Sequence, residues 1–239
     1  MRYLVISDIH ANWDALRAVL ADADGRFDEI LNCGDLVGYG PDPAPVVEWT
    51  RTHRQTIVRG NHDKVCATLE NLDWFNPIAA KSVEWTHKVL APEDLDYLRG
   101  LPAGPVFVNG LQLVHGSPAN EDEYLVRLVD IASAAAWLDR SIGFFGHTHI
   151  QGCYMIKVRG VKRVTLATVD LDPDAVYMIN PGSVGQPRDR DPRAAWAIYD
   201  TEGRFIEMRR SEYDVGATQK KITAAGLPHS LATRLAVGR

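Results

Sequence analysis

Cysteine is scarce: Cys33, Cys66 and Cys153 are the only three in 239 residues, widely spaced and without a CxxC pair. That excludes a disulfide framework or a zinc ribbon as the basis of the fold. Reduced thiols suit a cytosolic setting. No apolar run is long enough to span a bilayer. The N-terminus, MRYLVISD, has neither the long apolar segment nor the small-residue cleavage site of a signal peptide. These features predict a cytoplasmic protein. Positive charge is not in excess: 26 Lys and Arg against 31 Asp and Glu give a net charge of -5. A large nucleic-acid surface usually needs a basic face, so this balance argues against such a partner. A charged substrate would have to be gripped by a local site. Internal repeats, Gly/Ser linkers and low-complexity tracts are also missing. What remains is ordinary soluble composition, 46% hydrophobic and 24% charged, in a chain long enough to bury a core unaided.

Apolar patterning organises the first third. Tyr3 to Ile6 reads as a buried strand ending at Ser7-Asp8. Asn12 can cap a following helix with Trp13, Leu16, Val19 and Leu20 on one face. Glu29 to Cys33 is a second strand, Pro43 and Pro45 open a second helix, and Gln55 to Arg59 is a third strand. Strand–helix alternation predicts a parallel sheet with helical crossovers. Residues 64–100 read as helical, broken at Asn76-Pro77 and Ala91-Pro92. They either cover the sheet or form a cap over a cleft, with Trp74 and Phe75 as the residues that would shape it.

Strands dominate the second half. Asn109-Gly110 between Val106–Val108 and Leu111–Val114 predicts a hairpin. Ile131 to Leu138 reads as a helix, and Ile142 to Phe145 as a buried strand. Further strands are expected at Tyr154–Val158, Arg163–Ala167, Val176–Ile179, Ala194–Tyr199 and Phe205–Arg209. Alternation in the second and last of these suggests antiparallel pairing with one wet face. From about Val215 the chain reads as a short helix and a loose tail.

Five polar clusters fall where strands end: Asp8-Ile9-His10, Gly34-Asp35, Gly60-Asn61-His62-Asp63, His115-Gly116 and Gly146-His147-Thr148-His149. Ligand crevices of open α/β sheets lie beyond the carboxyl ends of the strands. Five of the eight histidines sit in these clusters. Imidazole with carboxylate suits divalent transition metals better than calcium or magnesium. Each cluster alone is weak. Asp-x-His pairs occur by chance, Gly-Asp is usually a turn, His115 alone could be a buried core histidine, and Asn61 alone could cap a helix. The ordered conjunction of all five is specific.

The ordered motifs D-x-H, G-D, G-N-H-D, H and G-H-x-H over residues 8–149 resemble the calcineurin-like metallophosphoesterases. Residues 180–188, NPGSVGQPR, resemble a later loop of small bacterial members. The resemblance implies a four-layer αββα sandwich with a mixed two-sheet core, and the whole of 1–239 is read as a single domain. It implies one metal held by Asp8, His10, Asp35 and His149, and a second by Asp35, Asn61, His115 and His147, with Asp35 bridging. Manganese, iron, zinc and nickel all occur in the family, and the sequence does not choose among them.

Such a metal pair would activate a bridging hydroxide for in-line attack at phosphorus. His62 is expected to meet the developing alkoxide as acid or hydrogen-bond donor. Asp63 has two readings, a carboxylate that orients His62 or a helix cap. Asn12 is a substrate-binding candidate as well as a cap. Of Arg188 and Arg193, which flank Asp189-Arg190-Asp191, one could bind a substrate phosphate; Arg188 is the candidate chosen. Gly38-Tyr39-Gly40-Pro41 could line the cleft. The expected activity is phosphodiester hydrolysis on small substrates such as nucleotides. Alternatives are a phosphomonoesterase, a protein phosphatase or a dinucleoside polyphosphate hydrolase. A silent binding protein on this fold would be marked by lost ligands, and none is lost here. A homo-oligomer built on exposed aromatics of residues 74–85 is a further expectation.

Overall fold

β1 (Arg2–Ile6) is covered on both faces. Leu4 and Ile6 enter one hydrophobic core, and Tyr3 and Val5 enter another. That is why its sequence is continuously apolar rather than alternating. The computed structural model describes residues 1–239. After β1, the Asn12 side chain accepts a hydrogen bond from Ala15 N at 3.1 Å and starts α1 (Trp13–Ala23). Ala15, Leu16, Val19 and Ala23 are its buried face. Truncating a side chain such as Leu16 to alanine would cost about 2–5 kcal/mol.

β2 (Glu29–Asn32), α2 (Pro43–Thr52), β3 (Gln55–Ile57) and α3 (Asn61–Thr68) continue the alternation. A 3₁₀ turn at Leu72–Trp74 leads to α4 (Pro77–Val89) and α5 (Pro92–Gly100). Both helices begin at the prolines where the sequence pattern breaks, because proline at the first helical position forfeits no bond. β4 (Val106–Val108) and β5 (Leu111–Leu113) form the expected hairpin, with Asn109 at φ 46° and Gly110 at φ 81° in its turn. Then follow α6 (Leu128–Ala135), β6 (Ile142–Phe144), β7 (Gly152–Lys157), β8 (Gly160–Val164), β9 (Thr168–Asp170), β10 (Val176–Asn180), β11 (Ala194–Asp200), β12 (Phe205–Ser211), α7 (Val215–Ala224) and α8 (His229–Leu235).

The strands form two six-stranded mixed sheets, ordered β3-β2-β1-β11-β12-β9 and β4-β5-β6-β10-β7-β8. β1, β2 and β3 are parallel, as are β5, β6 and β10. Tyr3, Val5, Leu31 and Tyr199 of the first sheet pack against Leu113, Phe144, Tyr177 and Ile179 of the second. Helices α1 to α5 cover the outer face of the first sheet. Ile131 and Ala134 of α6 cover the outer face of the second, against Phe145, Tyr154 and Met178. The architecture is the expected αββα sandwich. No helix is long and apolar enough to cross a membrane.

Two expectations need correction. The strand expected at Arg163–Ala167 spans a break: β8 ends at Val164 in the second sheet and β9 begins at Thr168 in the first. The chain crosses between sheets there, which local alternation cannot signal. The expected loose tail is instead two docked helices. Ile222, Leu227, Leu231 and Leu235 are buried against Tyr39 and Ala79. Leu231 and Leu235 lie four residues apart on one side of α8, and Leu227 precedes it in the connecting turn.

Candidate metal centre

The carboxyl ends of β1, β2, β3, β5 and β6 deliver the five polar clusters to one place. Their loops are tightly wound: Asp8, His10, Asp35, His147 and His149 all have positive φ, between 47° and 65°. Close approach explains two of the glycines. A Cβ on Gly60 would lie 2.0 Å from Asp35 Oδ1, and one on Gly146 would lie 2.0 Å from Ser7 Oγ.

The donors separate into two groups sharing one residue. Asp8, His10, Asp35 and His149 form the first, and Asp35, His115 and His147 the second, with ligand atoms within 4.8 Å of one another in each. Asn61 joins the second through Oδ1, 3.1 Å from His115 Nε2. Asp35 Oδ2 lies 3.4 Å from His10 Nε2 and 3.4 Å from His115 Nε2, between the groups. These seven residues are the set expected from the sequence.

Backbone carbonyls aim the imidazoles. His10 Nδ1 donates to Val37 O at 2.9 Å, His115 Nδ1 to Cys33 O at 2.7 Å and His149 Nδ1 to Gln186 O at 2.6 Å. A carbonyl only accepts, so each Nδ1 carries a proton and each ring turns its Nε2 inward. Burial keeps the His10 and His149 rings neutral, pushing His10 down to about 4 and His149 well below the ordinary imidazole value. Yet His10 Nε2 and His149 Nε2 face each other at 3.0 Å. Two lone pairs at that distance repel unless a cation lies between them. In the second group, His147 falls to about 3 through burial and the neighbouring His115. His115 itself is raised to about 10: burial, the largest influence, opposes protonation, but Asp35, Asp8 and the Cys33 carbonyl together outweigh it. Both groups therefore call for positive charge, and their donors fit divalent transition ions.

His62 lies at the junction. Its ring contacts Tyr39, His10 and Phe75 at centroid distances of 4.4, 4.8 and 4.8 Å. Burial, the largest influence, holds its pKa well below the ordinary value. Asp63 does not hold that ring. Its carboxylate accepts from the backbone N–H groups of Asp35, Leu36, Val37 and Gly60 at 2.8–3.3 Å, and His62 Nδ1 is buried without a partner. Asp63 thus caps α3 and splints the Asp35 loop; the orienting role expected for it is not seen. Asn12 is likewise committed: it caps α1 and donates to Gly185 O at 2.9 Å and Tyr213 Oη at 3.2 Å. It is 1% exposed, so its side chain is spent on holding α1 and the Gly185 loop. Arg193 is tied to Asp191. Arg188 is the arginine beside the centre: its backbone N–H donates to His149 O at 3.1 Å, and its guanidinium lies 5.7 Å from the Tyr39 ring centroid.

A cleft opens beside His62, lined by Tyr39, Asn61, Phe75, Trp74, Tyr124 and His147. Trp74 and Phe75 come from the 64–100 segment. The rest of that segment covers the sheet, since Val83, Leu90 and Leu98 join the core. Tyr124, whose ring lies tilted against His147 at a centroid distance of 3.8 Å, is not marked by anything in its loop. The carbonyls of Cys33, Val37 and Gln186 were equally invisible, because every residue has one.

Comparison with known proteins agrees with this geometry. The calcineurin-like phosphoesterase superfamily domain matches residues 1–204. An uncharacterized protein of Methanocaldococcus jannaschii is 37% identical over 98% of this chain and 97% of its own length. The crystal structure of a metallophosphoesterase from Sphaerobacter thermophilus is 41% identical, covers 100% of this chain and 99% of its own, and superposes with a TM-score of 0.89. A hypothetical protein from Pyrococcus horikoshii shares the fold at 21% identity, over 100% and 98% of the two chains, with a TM-score of 0.82. The chain belongs to the calcineurin-like phosphoesterase superfamily, whose members generally use a dinuclear metal centre.

Proposed function

We infer that this protein is a dinuclear metal-dependent phosphodiesterase acting on small, nucleotide-like phosphate esters. The observation that carries this reading is the pair of inward-facing donor groups sharing Asp35, open to a cleft with aromatic walls. Asp8, His10, Asp35 and His149 would hold one ion, and Asp35, Asn61, His115 and His147 the other; manganese is the first ion to try. Bound there, such a pair lowers the pKa of water and neutralises charge on phosphoryl oxygens.

The chain's own residues do the rest. His62 is neutral, and its Nδ1 is enclosed without an acceptor. Its other nitrogen is therefore the one to carry the proton offered to the leaving oxygen. Arg188 supplies a fixed positive charge at the edge of the site, where it favours an anionic substrate. Trp74, Phe75 and Tyr124 present flat apolar surface to an aromatic leaving group such as a base, and Asn71 and Asn76 line the same wall. We read the chain as one domain in which residues 64–100 supply that wall.

Initial rates decide the matter. Metal-stripped protein reloaded with manganese should cleave bis-p-nitrophenyl phosphate faster than p-nitrophenyl phosphate. Activity on the monoester alone would move the assignment to phosphomonoesters or phosphoproteins. No metal-dependent hydrolysis of either would favour a binding protein that has kept its ligands.

A further inference from the structure

Two arginines meet at the rim of the metal centre without a carboxylate between them. Arg188 Nη2 donates to Gln186 Oε1 at 3.1 Å, and Arg234 Nη1 donates to the same oxygen at 3.2 Å. Nearby arginines behave differently: Arg210 is paired with Asp189 and Arg193 with Asp191. Guanidinium groups brought to one oxygen repel each other. Burial and then the charge of Arg188 both lower the pKa of Arg234. A neutral amide oxygen does not offset that repulsion. Each guanidinium has five N–H donors in a rigid fork, and Gln186 Oε1 takes only one from each.

The pair is coupled to the reaction centre. Gln186 O accepts the proton of His149 Nδ1 at 2.6 Å, and Arg188 packs on Tyr39, whose ring lies against His10 and His62. Arg234 arrives from α8, beyond the 1–204 region common to the superfamily. It is therefore a feature of this chain's C-terminal helices rather than of the shared metal site. An anion with several acceptor oxygens fits two half-buried forks better than one amide oxygen does.

We propose that Arg188 and Arg234 form a subsite for a second, non-scissile phosphate, so that substrates with two linked phosphoryl groups are preferred. This rests on the diesterase reading and narrows its substrate class to diesters and anhydrides carrying an adjacent phosphate. In the reaction one P–O bond breaks, the water oxygen joins the phosphorus, one water proton goes to the leaving oxygen and the other to solvent. The second phosphate stays chemically unchanged on the arginines.

The test is titration calorimetry of the full, metal-loaded chain with inorganic phosphate and with methylenebisphosphonate. The latter has a second phosphoryl group and no hydrolysable bond; metal content is measured after each titration. The bisphosphonate should bind the wild type roughly tenfold more tightly, as expected for an added charged hydrogen-bonding contact. Arg234→Gln should cut that advantage to about threefold or less while retaining its metals and thermal midpoint. Equal affinities in the wild type would overturn the proposal, as would an undiminished advantage in Arg234→Gln. If that variant does not fold, Arg234→Lys is measured instead; an undiminished advantage there, where the fork is lost, also overturns it. A chain with this preference that leaves bis-p-nitrophenyl phosphate intact would refute the diesterase reading and keep the subsite. Diester hydrolysis without the preference would do the reverse.

Discussion

The two halves of the metal centre use similar buried donors, but only one of them reaches the open cleft. Asp8, His10 and His149 are 0%, 1% and 2% exposed, and none lines the open cleft. Asn61 and His147 line that cleft, with the half-exposed Tyr124 over the His147 ring. The enclosed half is backed by Val37 O and Gln186 O on two separate loops. The difference teaches a division of labour: an ion in the enclosed half would fix geometry, and one in the open half would face substrate and exchange more readily.

Asp35 belongs to both halves, so the largest effect is expected there. Asp35→Asn should remove both ions and lower kcat/KM by at least about three orders of magnitude, as loss of a metal-activated nucleophile implies. Elemental analysis that still finds two ions per chain would contradict the shared-ligand geometry. Asn61→Ala touches the open half alone and should leave about one ion per chain, whereas His149→Ala should disturb the enclosed half. The same loss pattern in both variants would erase the contrast between the halves.

His62→Asn comes next. It should lower kcat by about 10²–10⁴-fold with metal content intact. Loss of metal instead would make His62 part of the ion-binding shell. The smallest effect concerns the wall of the open half. Glu121 ties Arg59 and Lys64 to the loop that carries Tyr124. Burial would raise the Glu121 pKa, but its bonds to Arg59 and Lys64 hold it below 4.5. A depressed carboxylate contributes stability above its unfolded value and loses it as pH falls through the folded one. Glu121→Gln should therefore cost less than about 1 kcal/mol near pH 7. That difference should be flat down to about pH 5 and shrink below it, as read from urea midpoints.

The legible part of the site was whatever had to be a particular side chain. Ligand identity is chemistry, so Asp8, His10, Asp35, Asn61, His115, His147 and His149 stood out by type and by position after apolar strands. Roles that depend on geometry were less visible. Asp63 could orient a histidine or cap a helix, and only its four backbone partners show the cap. Asn12 posed the same ambiguity. The sandwich followed from strand–helix alternation and the family motifs. The passage of β8 into β9 did not, because changing sheets is a long-range event between short segments. The C-terminal helices were underread because α8 is only seven residues long and gains its stability by docking.

The order of the first sheet has a consequence for how the protein is made. β1 sits between β2 and β11, so one of its edges stays open until residues 194–200 have been made. All seven candidate ligands have been synthesised by residue 149, yet the carbonyl that aims His149 belongs to Gln186 and the strand that completes the β1 edge begins at Ala194. A nascent chain of about 150 residues would own every ligand and no finished site. Such a chain would hold the donors without the carbonyl that turns His149 inward, and would bind an ion there more weakly than the whole chain does.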